Sequence, residues 1–136
     1  LKEKGKSGVI LNVSSVAGEI PMPGAAVYAA TKAFVTSLSQ ALDAELSPCG
    51  IRVLVSCPGQ VATNFANRAA KKTVSEYRWG VMSPQYVAKQ IWKQIKKRKR
   101  HWIFDYRYRI FLWIAKHCVP LSFTEAIIWK NLQKRI

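Results

Sequence analysis

Acidic residues are scarce in this 136-residue chain: 7 Asp and Glu stand against 22 Lys and Arg, a formal charge of +15. Such an imbalance points to phosphate-bearing partners or an anionic membrane surface and leaves the fold open. Cysteine is sparse too. Cys49, Cys57 and Cys118 form no CxxC, and an odd count does not make a disulfide framework, which indicates a reducing compartment, the cytoplasm. The only histidines are His101 and His117, with no ligands clustered beside them in the sequence, so no metal site is expected. Long apolar runs are missing as well. The longest near the C-terminus is Ile110 to Ala115, far short of the ~20 residues needed to span a bilayer. No helix-turn-helix, RRM or finger signature accompanies the charge, so nucleic acid is not the expected partner.

What the chain does have is enough apolar content for a core, 49%, and a length that sets one domain as the ceiling. Gly8 to Val13 is a nearly continuous apolar run, which suits a parallel strand covered on both faces. Ser14 and Ser15 follow at its C-terminal end, where open α/β sheets place their ligands. A helix is expected over 25–46, with Phe34, Leu38, Leu42 and Leu46 as an apolar stripe. Pro48 and Gly50 stop it. Ile51 to Cys57 reads as a second strand, and strand, helix and strand make a βαβ unit of a parallel sheet. The fold class is therefore α/β.

Three residues carry the chemistry. Tyr28 and Lys32 lie one helical turn apart on a shared face, and Ser15 precedes Tyr28 across a turn containing Pro21, Pro23 and Gly24. A free tyrosine titrates near ~10, and a neighbouring ammonium favours the phenolate. With a serine hydroxyl to hold a substrate oxygen, such a trio suits proton transfer coupled to carbonyl reduction. An ordinary Tyr–Lys helix pair is the alternative, and YxxxK alone does not decide between them.

Three segments in order do more: NVSSVAG, then YAATKAF, then CPGQVATNF. With these the chain resembles the short-chain dehydrogenase/reductase family, specifically from Gly8 to about Phe65 and only generally beyond. The resemblance implies that Ser15 anchors the substrate oxygen, Tyr28 donates and accepts the proton, and Lys32 holds the cofactor ribose and tunes the tyrosine. Ser14 lies one residue out of that register. The resemblance also implies that Pro58, Gly59, Val61 and Thr63 wrap the nicotinamide end of NAD or NADP, together with Tyr28 and Lys32. NADP is slightly preferred. A substrate lid is implied at about 64–82.

Beyond it, Ser83 and Pro84 start a helix to about Lys96, with Val87, Ile91 and Ile95 as its buried stripe. Five basic residues, KKRKR at 96–100, precede a short edge strand expected at Trp102 to Phe104. Residues 106–136 form a tail rich in aromatics, in which Pro120 separates two expected helices. Polybasic and aromatic amphipathic segments side by side are the pattern of peripheral contact with an anionic membrane; packing over the substrate cavity is the other reading.

The family's glycine-rich phosphate turn and its upstream asparagine do not occur in these residues. The organisation expected from the resemblance is the second half of a doubly wound, Rossmann-like parallel-sheet domain at 1–105, followed by the helical tail at 106–136. Its first strand would present an unpaired edge. The expected function is an NAD(P)-dependent oxidoreductase interconverting a hydrophobic carbonyl and a secondary alcohol, inactive as these 136 residues alone. The alternative is a non-catalytic relic that binds a membrane or a partner. A homo-oligomer through the 25–46 helix is expected, since the equivalent helix often lies in a subunit interface in that family.

Overall fold

The computed structural model describes residue 3, residues 5–63 and residues 80–133. Most of the expected lid, 64–79, lies outside them. Three parallel strands form one sheet in the order β1 (Gly8–Val13), β2 (Ile51–Ser56), β3 (His101–Trp102). β1 and β2 pair in register from Gly8 opposite Ile51 to Val13 opposite Ser56, and α1 (Ala26–Leu46) connects them. α2 (Pro84–Lys97) leads to β3, followed by α3 (Tyr106–His117) and α4 (Leu121–Gln133).

β2 is the central strand and the core. Ile51, Val53, Leu54 and Val55 are buried on both its faces, as the continuous apolar run predicts. β1 matches the expected span but not the expected burial, since Ile10 and Val13 are exposed; no described strand pairs with its outer edge. β3 is shorter and starts earlier than the sequence suggests, because Asp105 caps α3 by accepting from Arg107 N at 3.0 Å and draws the chain away after Trp102.

α1 also departs from expectation. Its apolar stripe does not face the sheet: Phe34 is 63% exposed, and Leu38 is exposed as well. The buried face is Ala29, Thr36, Ser39 and Asp43. At 3.6 residues per turn, a step of four swings ~40° each time, whereas steps of seven drift only ~20°. Residues 29, 36 and 43 therefore stay on one line along the sheet while the every-fourth stripe rotates off it.

Small polar residues on a buried face must find partners. Asn12 Nδ2 donates to Ser39 Oγ at 2.9 Å, and Ser39 in turn to Val35 O at 2.6 Å. Asp43 accepts from Arg52 Nε at 2.8 Å, Arg52 Nη2 at 3.0 Å and Val53 N at 2.8 Å, so one carboxylate ties α1 to β2. On α2, Ser83 Oγ accepts from Tyr86 N at 3.2 Å as the cap, and Val87 is buried as expected. Gln94, fully buried, joins that helix to the sheet by donating to Val55 O and Lys99 O, both at 2.9 Å.

The Arg52 guanidinium holds the Asp43 carboxyl below the usual carboxylate range; Val53 N–H and Arg100 add to this, and burial opposes it. A depressed carboxyl contributes stability above its unfolded value of ~4, and the contribution fades as pH falls through the folded value. Asp43→Ala should cost about 1–3 kcal/mol at pH 7, chiefly because it leaves the buried Val53 N–H without its acceptor. The gap to the unchanged protein should narrow in acid. Urea midpoints for both proteins at neutral and acidic pH measure this, and a gap independent of pH would count against the assignment.

Candidate functional site

The site grows from the C-terminal ends of β1 and β2. The ladder continues past the strands: Ser14 N donates to Ser56 O at 2.8 Å and Val16 N to Pro58 O at 3.1 Å. Ser15 and Pro58 are thereby held next to each other. Ser15 is buried and caps a single 3-10 turn at Val16–Gly18, its Oγ accepting from Ala17 N at 3.2 Å, with Pro58 O at 3.5 Å as its acceptor. Ser14, the serine outside the catalytic register, has a fastening role: its Oγ donates to Lys32 O at 2.8 Å and lies 2.8 Å from Thr36 Oγ1.

That bond fixes the turn of α1 that carries Lys32. Lys32 Nζ donates to Val13 O at 3.2 Å and lies 5.8 Å from the centroid of the Tyr28 ring, one turn earlier. Gly18 completes the fit. A Cβ there would lie 2.6 Å from the Lys32 carbonyl carbon and 2.7 Å from Ala33 N, so only glycine lets the turn after Ser15 rest on the backbone of α1.

The second loop, 58–63, faces this assembly. Met82 bridges to Val61 in parallel fashion; Met82 N donates to Gln60 O and Ala62 N to Met82 O, both at 2.9 Å. Tyr108 of α3 lies flat against Gly59, where a Cβ would meet its ring, and Gln60 N donates to its hydroxyl at 3.4 Å. One cavity of about 980 Å³ opens between the two loops, and Ser15, Tyr28, Lys32, Pro58, Gly59, Val61 and Thr63 all line it. The rest of its wall is mainly apolar: Ile20 and Met22 before α1, Val87 and Ile91 from α2, Phe111 and Leu112 from α3, and Ile128 from α4. The tail helices thus contribute to the cavity wall.

Residues 1–74 match the family model described as short chain dehydrogenase. The chain belongs to the short-chain dehydrogenase family. Among curated relatives, the "Inactive 2-(S)-hydroxypropyl-CoM dehydrogenase 2" of Xanthobacter autotrophicus is 46% identical over 63 residues, covering 46% of this chain and 27% of that one. Two solved structures superpose on 99% of the chain. One is a short-chain dehydrogenase from Sphingobium yanoikuyae in complex with NADPH, at 28% identity, TM-score 0.66 and 48% of its own length. The other is a bulky-bulky ketone specific alcohol dehydrogenase from Comamonas testosteroni, at 29% identity, TM-score 0.60 and 45% of its length. The chain spans about a quarter of that curated relative and less than half of either structure. The α/β parallel-sheet fold of this chain agrees with both.

Sequence reasoning passed over a second group. Glu19, Cys57 and His101 are far apart in the chain, yet His101 Nε2 lies 2.8 Å from Glu19 Oε1 and 3.4 Å from Cys57 Sγ. The expectation that no ligating residues cluster holds along the sequence and fails in space. The signal was in the register: His101 pairs with Val55, two residues before Cys57, so His101 and Cys57 share a sheet face, and Glu19 meets them from the turn after Ser15. The Cys57 sulfur and the Glu19 carboxylate raise His101 to about 9, against the effect of burial. Glu19 is lowered to about 2, by His101 first and also by Lys116, whose Nζ donates to Oε2 at 3.0 Å.

Gly18→Ala tests the close approach beneath the trio. The added methyl meets backbone rather than a movable side chain, so the variant should lose about 1–3 kcal/mol of stability. Urea denaturation reads the loss, and an unchanged midpoint would show that the turn can move away from α1 at no cost.

Proposed function

We propose that this dehydrogenase chain supplies the catalytic half of an NAD(P)-dependent oxidoreductase that interconverts a carbonyl and a secondary alcohol on a hydrophobic substrate. The observation that supports this reading is the single cavity into which Ser15, Tyr28, Lys32 and the 58–63 loop all open. The donor set suits the nicotinamide–ribose end of the cofactor: the Lys32 ammonium, the Thr63 hydroxyl and loop backbone groups beside an apolar wall. No glycine-rich phosphate turn is present in the sequence, so these residues by themselves should not hold the cofactor tightly enough for turnover. When bound, a reduced nicotinamide supplies the hydride.

The chain's own residues then do three things. Ser15, its position set by Ala17 N and Pro58 O, holds the substrate oxygen. Tyr28 gives that oxygen its proton in reduction and takes it back in oxidation. Lys32, braced by Val13 O, presents its charge to the Tyr28 ring and to the ribose hydroxyls. The apolar wall from α2, α3 and α4 keeps water from the reacting carbon and favours a bulky, lipid-like or steroid-like carbonyl.

The test uses the complete protein that carries this chain, assayed for reduction of a hydrophobic ketone with NADPH and with NADH. Tyr28→Phe should lower kcat by ~100- to 10,000-fold with the fold and cofactor binding intact. Lys32→Ala should weaken cofactor binding as well as turnover. Near-normal turnover by Tyr28→Phe would sink the assignment.

Two surfaces motivate further contacts. On α1, Val27 is 82% exposed and lies on the same helix as exposed Phe34 and Leu38, which favours pairing with a second copy. On α3 and α4, Ile110, Trp113, Phe123 and Trp129 are exposed near basic residues, and 96–100 are exposed throughout, which favours peripheral contact with an anionic membrane. No described helix is long and apolar enough to cross a membrane. Sedimentation with anionic vesicles should fall steeply as salt rises, and Gln at Lys97, Arg98 and Lys99 should mimic that loss. Equal sedimentation with neutral vesicles would refute an electrostatic contact.

A further inference from the structure

The cluster of Glu19, Cys57 and His101 has no part in the chemistry proposed for the cavity, and none of the three lines it. Its donor atoms form a triangle: Glu19 Oε1 to His101 Nε2 2.8 Å, Cys57 Sγ to His101 Nε2 3.4 Å, and Cys57 Sγ to Glu19 Oε1 3.6 Å. Zinc bonds of ~2.0–2.3 Å in tetrahedral geometry place neighbouring donors about 3.4–3.6 Å apart. Two edges already have that length, and the third needs to open by about 0.6 Å.

We propose that Glu19, Cys57 and His101 form a three-ligand site for a divalent transition metal of zinc type. One sulfur, one imidazole nitrogen and one carboxylate oxygen make a donor set suited to a borderline-soft ion rather than to Mg²⁺ or Ca²⁺. Glu19 binds through Oε1 alone, because Lys116 Nζ holds Oε2 and orients the carboxylate. The ion replaces the protons on Cys57 Sγ and His101 Nε2, which pass to solvent, and the thiolate and carboxylate balance its two charges. His101 keeps 28% of its side chain exposed, which provides a route for the ion and room for water as the fourth ligand.

The role of such a site is structural. Cys57 is fully buried and immediately precedes Pro58, the first residue of the cavity loop, while Glu19 follows the turn that Ser15 caps. A metal there would clasp three segments at the base of both cavity loops.

The experiment uses the chain with Cys49→Ser and Cys118→Ser, which replace the two exposed cysteines and leave Cys57 as the only thiol. Titrated with Co²⁺, it should bind one ion per chain and develop a near-ultraviolet thiolate-to-cobalt charge-transfer band, with Zn²⁺ displacing the cobalt. His101→Gln in that background should weaken Co²⁺ binding by about tenfold or more. Glu19→Gln, which preserves shape, should also weaken it. Absence of the band at micromolar cobalt in the folded two-serine protein would overturn the proposal. So would a band whose strength and affinity survive both His101→Gln and Glu19→Gln. Far-ultraviolet circular dichroism establishes folding in each case, and the two-serine protein decides the matter even if a ligand variant unfolds.

Discussion

The in-register pairing of β1 with β2 is the constraint on which the rest of the molecule depends. It brings Val13 opposite Ser56, so both strands end at the same level. Everything with chemical potential follows from that coincidence: Ser14 and Ser15 after one strand, Cys57 and Pro58 after the other, joined by two further backbone bonds. A slip of one residue would turn every β1 side chain to the opposite face. It would also carry Ser15 away from the Pro58 carbonyl. Burial enforces the register on the β2 side, where both faces are covered, more than on β1, where Ile10 and Val13 are exposed.

The helix that carries Tyr28 and Lys32 is fastened to this sheet mostly by hydrogen bonds rather than by leucines. Ser14, Thr36, Ser39 and Asp43 form a line of satisfied polar contacts beneath it. Small polar residues let helix and sheet approach closely, and each bond is directional, so the arrangement specifies position more narrowly than an apolar stripe of the same length. This suits a helix that must present two side chains at a defined height above Ser15. Gly18 applies the same logic from above, since its missing side chain is where the backbone of α1 passes.

The elements were legible in the sequence because their signals are local. The runs at 8–13 and 51–57 and the Ser83–Pro84 cap each predict a boundary that the structure repeats within a residue or so. The orientation of α1 was not legible, because leucines every four residues imitate a core stripe while the true contact line is made of alanine, threonine, serine and aspartate. Spacing and resemblance singled out Ser15, Tyr28, Lys32 and the 58–63 loop, and these residues line one cavity. Glu19 and His101 were not singled out, because the edge strand read at Trp102 to Phe104 leaves His101 just outside it, and Glu19 lies in a turn whose approach to that strand no local pattern encodes. Tyr108 and Gln94 escaped for a related reason: each has its effect through a contact with a distant loop or strand, which no local period encodes.

α3 links these two levels of organisation. Near its start, Tyr108 covers Gly59 and reaches the Gln60 N–H on the cavity loop; near its end, Lys116 grips Glu19. One rigid helix thus touches both the wall of the cavity and the cluster beneath it. The tail is then more than a solvent-facing appendage to the sheet, since displacing it would uncover Gly59 and release Glu19 together. Exposed Ile110 and Trp113 lie on the same helix that holds Tyr108 in the cavity. α3 therefore carries the exposed aromatics on its outer face and part of the cavity wall on its inner one, so one short helix serves both surfaces.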